Sequence, residues 1–187
     1  MKRFSNYFKR KKILITGHTG FKGSWLSLCL YDMGAKILGI SNGIPTEPSH
    51  FKASLLKNKI KSKNFDTSNK KKLEKTIFKF KPDYIFHLAA QSLVQKSYSN
   101  PLETWRTNLI GTVNLLDSLK NYNRKITVIL ITSDKSYKNV EKKEGYKETD
   151  VLFGVDPYSA SKSSADIAIQ SYFNSYFKNK KNILIAV

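Results

Sequence analysis

The chain has 187 residues, of which 40% are hydrophobic, enough apolar material for one domain with a full core and too much for a disordered chain. Its formal net charge of +19 rests on 29 lysines and 4 arginines spread along the chain; with arginine so scarce and no helix-turn-helix, zinc-finger or RNA-recognition signature, solvated lysine-rich faces are expected and a nucleic-acid partner is not. No apolar run approaches the ~18 residues of a membrane span, and no apolar stretch follows the basic start, so a cytoplasmic protein without membrane association is expected.

Residues 1–11 read as a loose basic lead-in and 12–187 as one domain. Ile13–Thr16 is a short buried strand that runs straight into Gly17, Gly20 and Gly23. A helix over Phe21–Met33 follows, with Trp25, Leu26, Leu28, Leu30 and Met33 as its apolar face and Gly34 as its stop. Cys29, the lone cysteine, is expected on that face as a packed core thiol. It excludes an internal disulfide, and with His18, His50 and His87 it forms no metal-ligand pattern. Lys36–Ile40 is a second strand. Residues 41–57 form a loop with Gly43, Pro45 and Pro48, and room for a short helix after Pro48. Ile60–Phe65 is a third strand with Asp66 at its end, Asn69–Phe80 a helix halted before Pro82, and Asp83–Leu88 a fourth strand. A long helix spans Pro101–Tyr122, with Leu109, Val113, Leu116 and Leu119 along one side. The β-branched run Ile126–Thr132 is a buried strand, 133–155 is polar, Pro157–Phe177 is helical and Asn182–Val187 is a sixth strand.

Alternating strands and helices predict an α/β fold: a Rossmann-type doubly wound parallel sheet with right-handed crossovers and helices on both faces. Ligands of such sheets sit outside the carboxyl ends of the strands, where Gly17–Gly23, Asp66, Leu88–Gln91 and Ser133–Lys135 fall. Nothing after the sixth strand forms a wall opposite the sheet. The C-terminal substrate-binding part is therefore expected to be missing, leaving a fragment or a domain that needs a partner to complete its pocket.

Three stretches carry chemistry. In the glycine turn, Gly17 allows a sharp bend, Gly20 lets a pyrophosphate approach the backbone, and Gly23 lets the helix pack close; the free N–H groups at the helix start favour an anion. The spacing is G-x-x-G-x-x-G, so a glycine loop without a ligand stays open as the alternative. Tyr158 and Lys162, in Asp156-Pro-Tyr-Ser-Ala-Ser-Lys162, are four apart and share a helix face; the ammonium favours the phenolate, which can take a proton from an alcohol as hydride leaves for a cofactor. A chance surface pair is the alternative. Ser133-Asp134-Lys135 can hold a substrate alcohol and supply an acid/base pair, provided the chain already turns at Asp134; a solvated loop is the alternative.

Together these residues resemble the extended short-chain dehydrogenase/reductase family in its nucleotide-sugar branch, over about Lys12 to Val187. The marks are the glycine turn, Leu88-Ala-Ala90, Asn108 and Tyr158-x-x-x-Lys162. Gly17-His-Thr-Gly-Phe-Lys-Gly-Ser-Trp-Leu26, Pro45-Thr-Glu-Pro-Ser49, His87-Leu-Ala-Ala-Gln-Ser-Leu-Val94 and Thr132-Ser-Asp-Lys135 resemble its CDP-glucose 4,6-dehydratase members. Lys135 discriminates most, since related dTDP-glucose dehydratases usually read Thr-Asp-Glu there, and the Asp134–Lys135 pair argues against an epimerase. The resemblance implies NAD as cofactor, with the pyrophosphate on Gly17, Thr19, Gly20, Phe21 and Lys22. It implies Asp66 and Thr67 at the adenine, and Leu88, Ala89 and Ala90 along the cofactor with Tyr158 and Lys162. Strand two ends in Asn42 rather than an acid, so Asn42 is left to serve a ribose hydroxyl. The implied chemistry is deprotonation of the glucose 4-hydroxyl by Tyr158 with Lys162 and Ser133, removal of the C5 proton by Lys135, and protonation of the departing 6-hydroxyl by Asp134. A lysine base needs a depressed pKa, which burial near Lys162 would supply. The product is a 4-keto-6-deoxy sugar for surface polysaccharide such as lipopolysaccharide O-antigen. A homodimer through helices 101–122 and 157–177 is expected. Another nucleotide-sugar epimerase or dehydratase, and an inactive NAD-binding fragment, are the competing readings.

Overall fold

Six strands pair in the order β3-β2-β1-β4-β5-β6, every pair parallel, in a computed structural model that describes residues 6–187. They are β1 (Lys12–Thr16), β2 (Lys36–Ser41), β3 (Lys61–Asn64), β4 (Tyr84–His87), β5 (Ile126–Leu130) and β6 (Ile183–Ala186). The helices are α1 (Phe21–Asp32), α2 (His50–Ala53), α3 (Leu56–Lys59), α4 (Lys70–Phe80), α5 (Val94–Ser99), α6 (Pro101–Trp105), α7 (Gly111–Leu119) and α8 (Pro157–Tyr172). The strand order reverses between β1 and β4, so the loops leaving these two strands diverge and open a crevice. The expected α/β class and doubly wound sheet are what the chain forms.

Strand alternation splits the core in two. Ile13, Ile15 and Ile37 face one side with Leu30, Phe51 and Leu56 of α1–α3. Leu14, Leu38, Ile85, Val128 and Ile183 face the other, under Leu73 and Ile77 of α4, Leu115 and Leu119 of α7 and Ile169 of α8. The first face is covered over only half its width. Thr127 and Ile129 are half-buried there, and Leu184, which shares their side through the β5–β6 register, is 52% exposed. No helix among the described residues is long and apolar enough to cross a membrane.

Several expectations change. Residues 1–5 lie outside the described residues, and the rest of the lead-in is docked: residues 6–8 make a helical turn whose Tyr7 hydroxyl receives a 2.9 Å hydrogen bond from Tyr84, with Phe8 edge-on to the same ring. Cys29 is exposed, not packed, and Trp25 is 48% exposed and stacked on His50. The buried side of α1 is instead Gly23, Ser24, Ser27 and Leu30. The cause is the close approach at its start: a Cβ on Gly23 would stand 2.1 Å from the Gly17 carbonyl oxygen, so only small residues fit against the turn. Helix α5 has no apolar repeat and buries only Ser97, which is why periodicity missed it. The long helix is interrupted by a π turn at Arg106–Ile110, and α8 ends in another at Phe173–Phe177.

Candidate active site at the carboxyl ends of the strands

The glycine turn leaves β1 with Gly17 at φ +74°, its amide bonded to the Ile40 carbonyl at 2.8 Å. A Cβ on Gly17 would meet the backbone of Leu88 and Ala89 at 2.8 Å, so the residue is required by both its dihedral and its neighbours. Gly20 caps α1 without a side chain, and the first turn carries no acid. The helix start is thus an open set of N–H donors with Phe21 and Lys22 exposed beside it, which suits an anion. Thr19 is spent on the fold: its hydroxyl donates to the Gly43 carbonyl at 2.6 Å. His18, which the motif reading left without a role, is buried beneath the turn between Ser41 at 3.0 Å and Ser62 at 2.7 Å. Gly39 makes room for it, since a Cβ there would lie 2.3 Å from the ring, and burial lowers its pKa.

At the other side of β2, Asn42 donates to the Asp66 carboxylate at 2.9 Å, and Asp66 also accepts from the Ser68 amide. Thr67 does not offer its side chain to this surface. It is buried with an unpartnered hydroxyl against α7, where a Cβ on Gly111 would stand 2.5 Å away, so only its backbone remains for a ligand. A basic cavity of about 580 Å³ opens beside Asp66, with Asn69, Lys70 and Arg106 on its walls. Leu88, Ala89 and Ala90 are half-buried where β4 ends next to the glycine turn.

Helix α8 is started by Asp156, whose carboxylate accepts from the Tyr158 and Ser159 amides at 2.9 and 3.0 Å in a capping box, with Pro157 in the first turn. That start sets Tyr158, half-buried, one turn ahead of Lys162. Lys162 is 6% exposed and donates from Nζ to the Ile131 carbonyl at 2.7 Å. Burial pushes its pKa down to about 8; Asp166 opposes the shift and Lys22 adds to it. Ser133 caps a 3₁₀ turn at Asp134–Ser136, so the chain bends at Asp134, as an acid/base pair requires. The Ser133 hydroxyl donates to the Asp134 carboxylate and accepts from the Lys135 amide, both at 3.2 Å. Asp134 and Lys135 are exposed, so the burial expected around Lys135 is not supplied by the described residues. The turn is fastened to α8 through the Ser163 hydroxyl, 2.7 Å from the Ser136 and Phe153 carbonyls, and Gly154 lies where a Cβ would be 2.1 Å from the Ala160 amide.

A family model described as GDP-mannose 4,6 dehydratase matches residues 14–183. The chain belongs to this family. Among curated relatives of this GDP-mannose 4,6 dehydratase family member, CDP-glucose 4,6-dehydratase of Salmonella typhimurium is 45% identical over 172 residues, covering 92% of this chain and 48% of the relative. CDP-paratose 2-epimerase of Salmonella typhi is 31% identical over 179 residues, covering 86% of this chain and 52% of that protein. Among solved structures, UDP-glucose 4-epimerase of Thermus thermophilus in complex with NAD matches with a TM-score of 0.75 at 26% identity, over 88% of this chain and 51% of that one. The resemblance read from the motifs is borne out by the family match and by the 45% relative. The chain spans about half the length of the curated relatives it matches.

Proposed function

We propose that this chain carries the cofactor site and the catalytic residues of a nucleotide-sugar 4,6-dehydratase that uses NAD and acts on CDP-glucose. The observation that carries the reading is the clamping of Ser133–Lys135 onto the Tyr158/Lys162 helix by the Lys162–Ile131 and Ser163–Ser136 hydrogen bonds. It supports a reading in which a serine that holds an alcohol, a phenol with a lysine partner and an acid/base pair share one mouth.

The residues fit NAD: the start of α1 has uncapped N–H donors, no acid in its first turn and Lys22 exposed beside it. Gly17, Gly20, Phe21 and Lys22 would hold the pyrophosphate, with Thr19 bracing the turn. Asn42, Asp66 and the Thr67 backbone would take the adenosine, and Leu88, Ala89 and Ala90 would wall the nicotinamide side. When bound, NAD supplies reversible hydride storage. Ser133 orients the sugar 4-hydroxyl and Tyr158 takes its proton, with the Lys162 ammonium favouring the phenolate. Loss of that proton together with the C4 hydride leaves a C4 ketone, which acidifies C5–H for removal by Lys135 once bound sugar and further polypeptide supply the burial that a lysine base needs. Asp134 protonates the 6-hydroxyl as it leaves as water, which forms a C5–C6 double bond; return of the hydride to C6 and of a proton to C5 completes the 4-keto-6-deoxy sugar, so C4 is oxidised, C6 reduced and no net oxidant consumed. We further propose a cytoplasmic role in deoxysugar synthesis for surface polysaccharide, and a homodimer through 101–122 and 157–177, which leave Leu102, Ile110 and Ile167 exposed.

The test is incubation of the 187-residue chain with CDP-glucose and NAD and detection of a 4-keto-6-deoxy product. Turnover is expected to fall at least about 100-fold in Lys135→Ala and in Tyr158→Phe, in the range for loss of a general acid or base. Turnover of dTDP-glucose but not CDP-glucose would sink the substrate assignment. The uncovered sheet face at Ile129 and Leu184 favours a second reading, an NAD-binding unit completed by further polypeptide. NAD binding by calorimetry with no product would select it.

A further inference from the structure

His87 ends β4 and is 3% exposed, yet the reaction as derived gives it no task. Its ring lies between two threonines, Nδ1 at 2.8 Å from the Thr16 hydroxyl and Nε2 at 3.2 Å from that of Thr112. Neighbouring groups fix the direction of both bonds. The Thr112 hydroxyl donates its single proton to the Asn108 carbonyl at 2.7 Å, and a carbonyl can only accept. Thr112 therefore accepts from His87, which places the ring proton on Nε2. Thr16 accepts from the Ala89 amide at 3.2 Å and has its own proton free for the bare Nδ1. Burial, helped by the Lys162 ammonium, holds the ring's pKa down at about 3, so it has one proton to give at neutral pH.

The result is one directed chain: Ala89 amide to Thr16, Thr16 to His87, His87 to Thr112, Thr112 to the Asn108 carbonyl. Each end leads toward the proposed site. Ala89 belongs to the wall proposed for the cofactor. Asn108 sits in the π turn, where its side chain accepts from the Gln91 amide at 2.8 Å and donates to the Gln91 carbonyl at 3.1 Å and to Ser161 at 2.9 Å. Ser161 directly precedes Lys162. A π turn displaces carbonyls from the regular ladder, and side-chain partners such as these keep it in place.

We infer that His87, as the neutral Nε2–H tautomer, is a positioning residue that ties the cofactor wall at Ala89 to the π turn at Asn108 and so to the helix that carries Lys162. The coupling rests on the cofactor assignment above; the tautomer does not.

Two measurements on the 187-residue chain test it. With ¹⁵N-labelled histidine, NMR should show the His87 ring protonated on Nε2 alone and unchanged between about pH 5 and pH 8. Lys162 is the charged group acting on the ring, and it keeps its proton through most of that window. A proton on Nδ1, or titration in the window, overturns the relay. Thr112→Val removes the acceptor without changing side-chain size, and Thr112→Ser restores it. Calorimetry should show NAD affinity lowered about tenfold in Thr112→Val, which loses both the bond accepted from His87 and the bond donated to the Asn108 carbonyl, and recovered in Thr112→Ser. Equal affinity in the folded Val variant, or no recovery with Ser, overturns the coupling. An Nε2–H tautomer in a wild-type chain that binds no NAD overturns the cofactor assignment and the coupling with it, while the relay stands.

Discussion

Lys162 shows how a single side chain sets both chemistry and stability. Its native pKa is about 8, below the 10.5 of an exposed lysine. Between those values the unfolded chain binds the proton that the native chain has released, so stability rises with pH across that window. Relative to Lys162→Met, the wild type should gain about 3 kcal/mol from pH 8 to pH 10.5 in urea unfolding. Below pH 8 the burial cost is fully present and the difference should flatten. Tyr84, whose pKa is pushed up to about 12 mainly by burial, pulls stability the other way above pH 10, but it does so in both proteins and cancels. A wild-type-minus-variant difference that stays flat between pH 8 and 10.5 would contradict a buried Lys162. Lys135, the other lysine proposed for the chemistry, is exposed, so the two are separated by environment and not by residue type.

At the scale of elements, helix starts do most of the positioning. Asp156 caps α8 twice, and Asp156→Ala should cost about 1 kcal/mol by thermal or urea unfolding, with Asp156→Asn close to neutral. The activity loss in the Ala variant should exceed the stability loss, because the same cap aims Tyr158. Helix α1 is governed by closeness. Gly23→Ala adds a methyl 2.1 Å from a backbone oxygen that cannot swing away, so it should destabilise by about 1–3 kcal/mol despite alanine's better helix propensity. It should also weaken NAD binding, since α1 must retreat from the turn that would hold the pyrophosphate. A Gly23→Ala chain that melts at the wild-type temperature would show that the turn is looser than its geometry states.

For the whole molecule, charge and coverage are the unbalanced quantities. A net charge of +19 repels itself, so the melting temperature should rise as salt is raised from low to physiological ionic strength. A falling melting temperature would mean that ion pairs such as Lys142–Asp150 outweigh that repulsion. Parallel sheets are normally covered on both faces, and here the part formed by β5 and β6 has, among the described residues, a helix layer on one face only. The same part holds the carboxyl ends from which Ser133, Asp134 and Lys135 emerge, so the exposed acid/base pair and the uncovered face belong to one side of the fold.

The sequence by itself determined the alternation of strands and helices, the sheet type, the glycine turn and the Tyr158/Lys162 pair. Each of these rests on local spacing: runs of β-branched residues, glycines three apart, a helix cap followed by residues four apart. The bend at Asp134 was only a condition in the sequence, since an acid/base pair on adjacent residues needs a turn there; the Ser133-capped 3₁₀ turn that meets it came from the structure. Tertiary structure alone decided what depended on distance to another element. Cys29 and Trp25 fell outside because Gly23 drew the other side of α1 onto the turn. Thr67 was turned inward by the space over Gly111, and Thr19 was claimed by Gly43. His18 and His87 acquired partners 44 and 71 residues away, which no window of sequence can place. Burial is a sum over neighbours brought together by the fold, and that sum separates Lys162 from Lys135, two residues whose type alone reads the same.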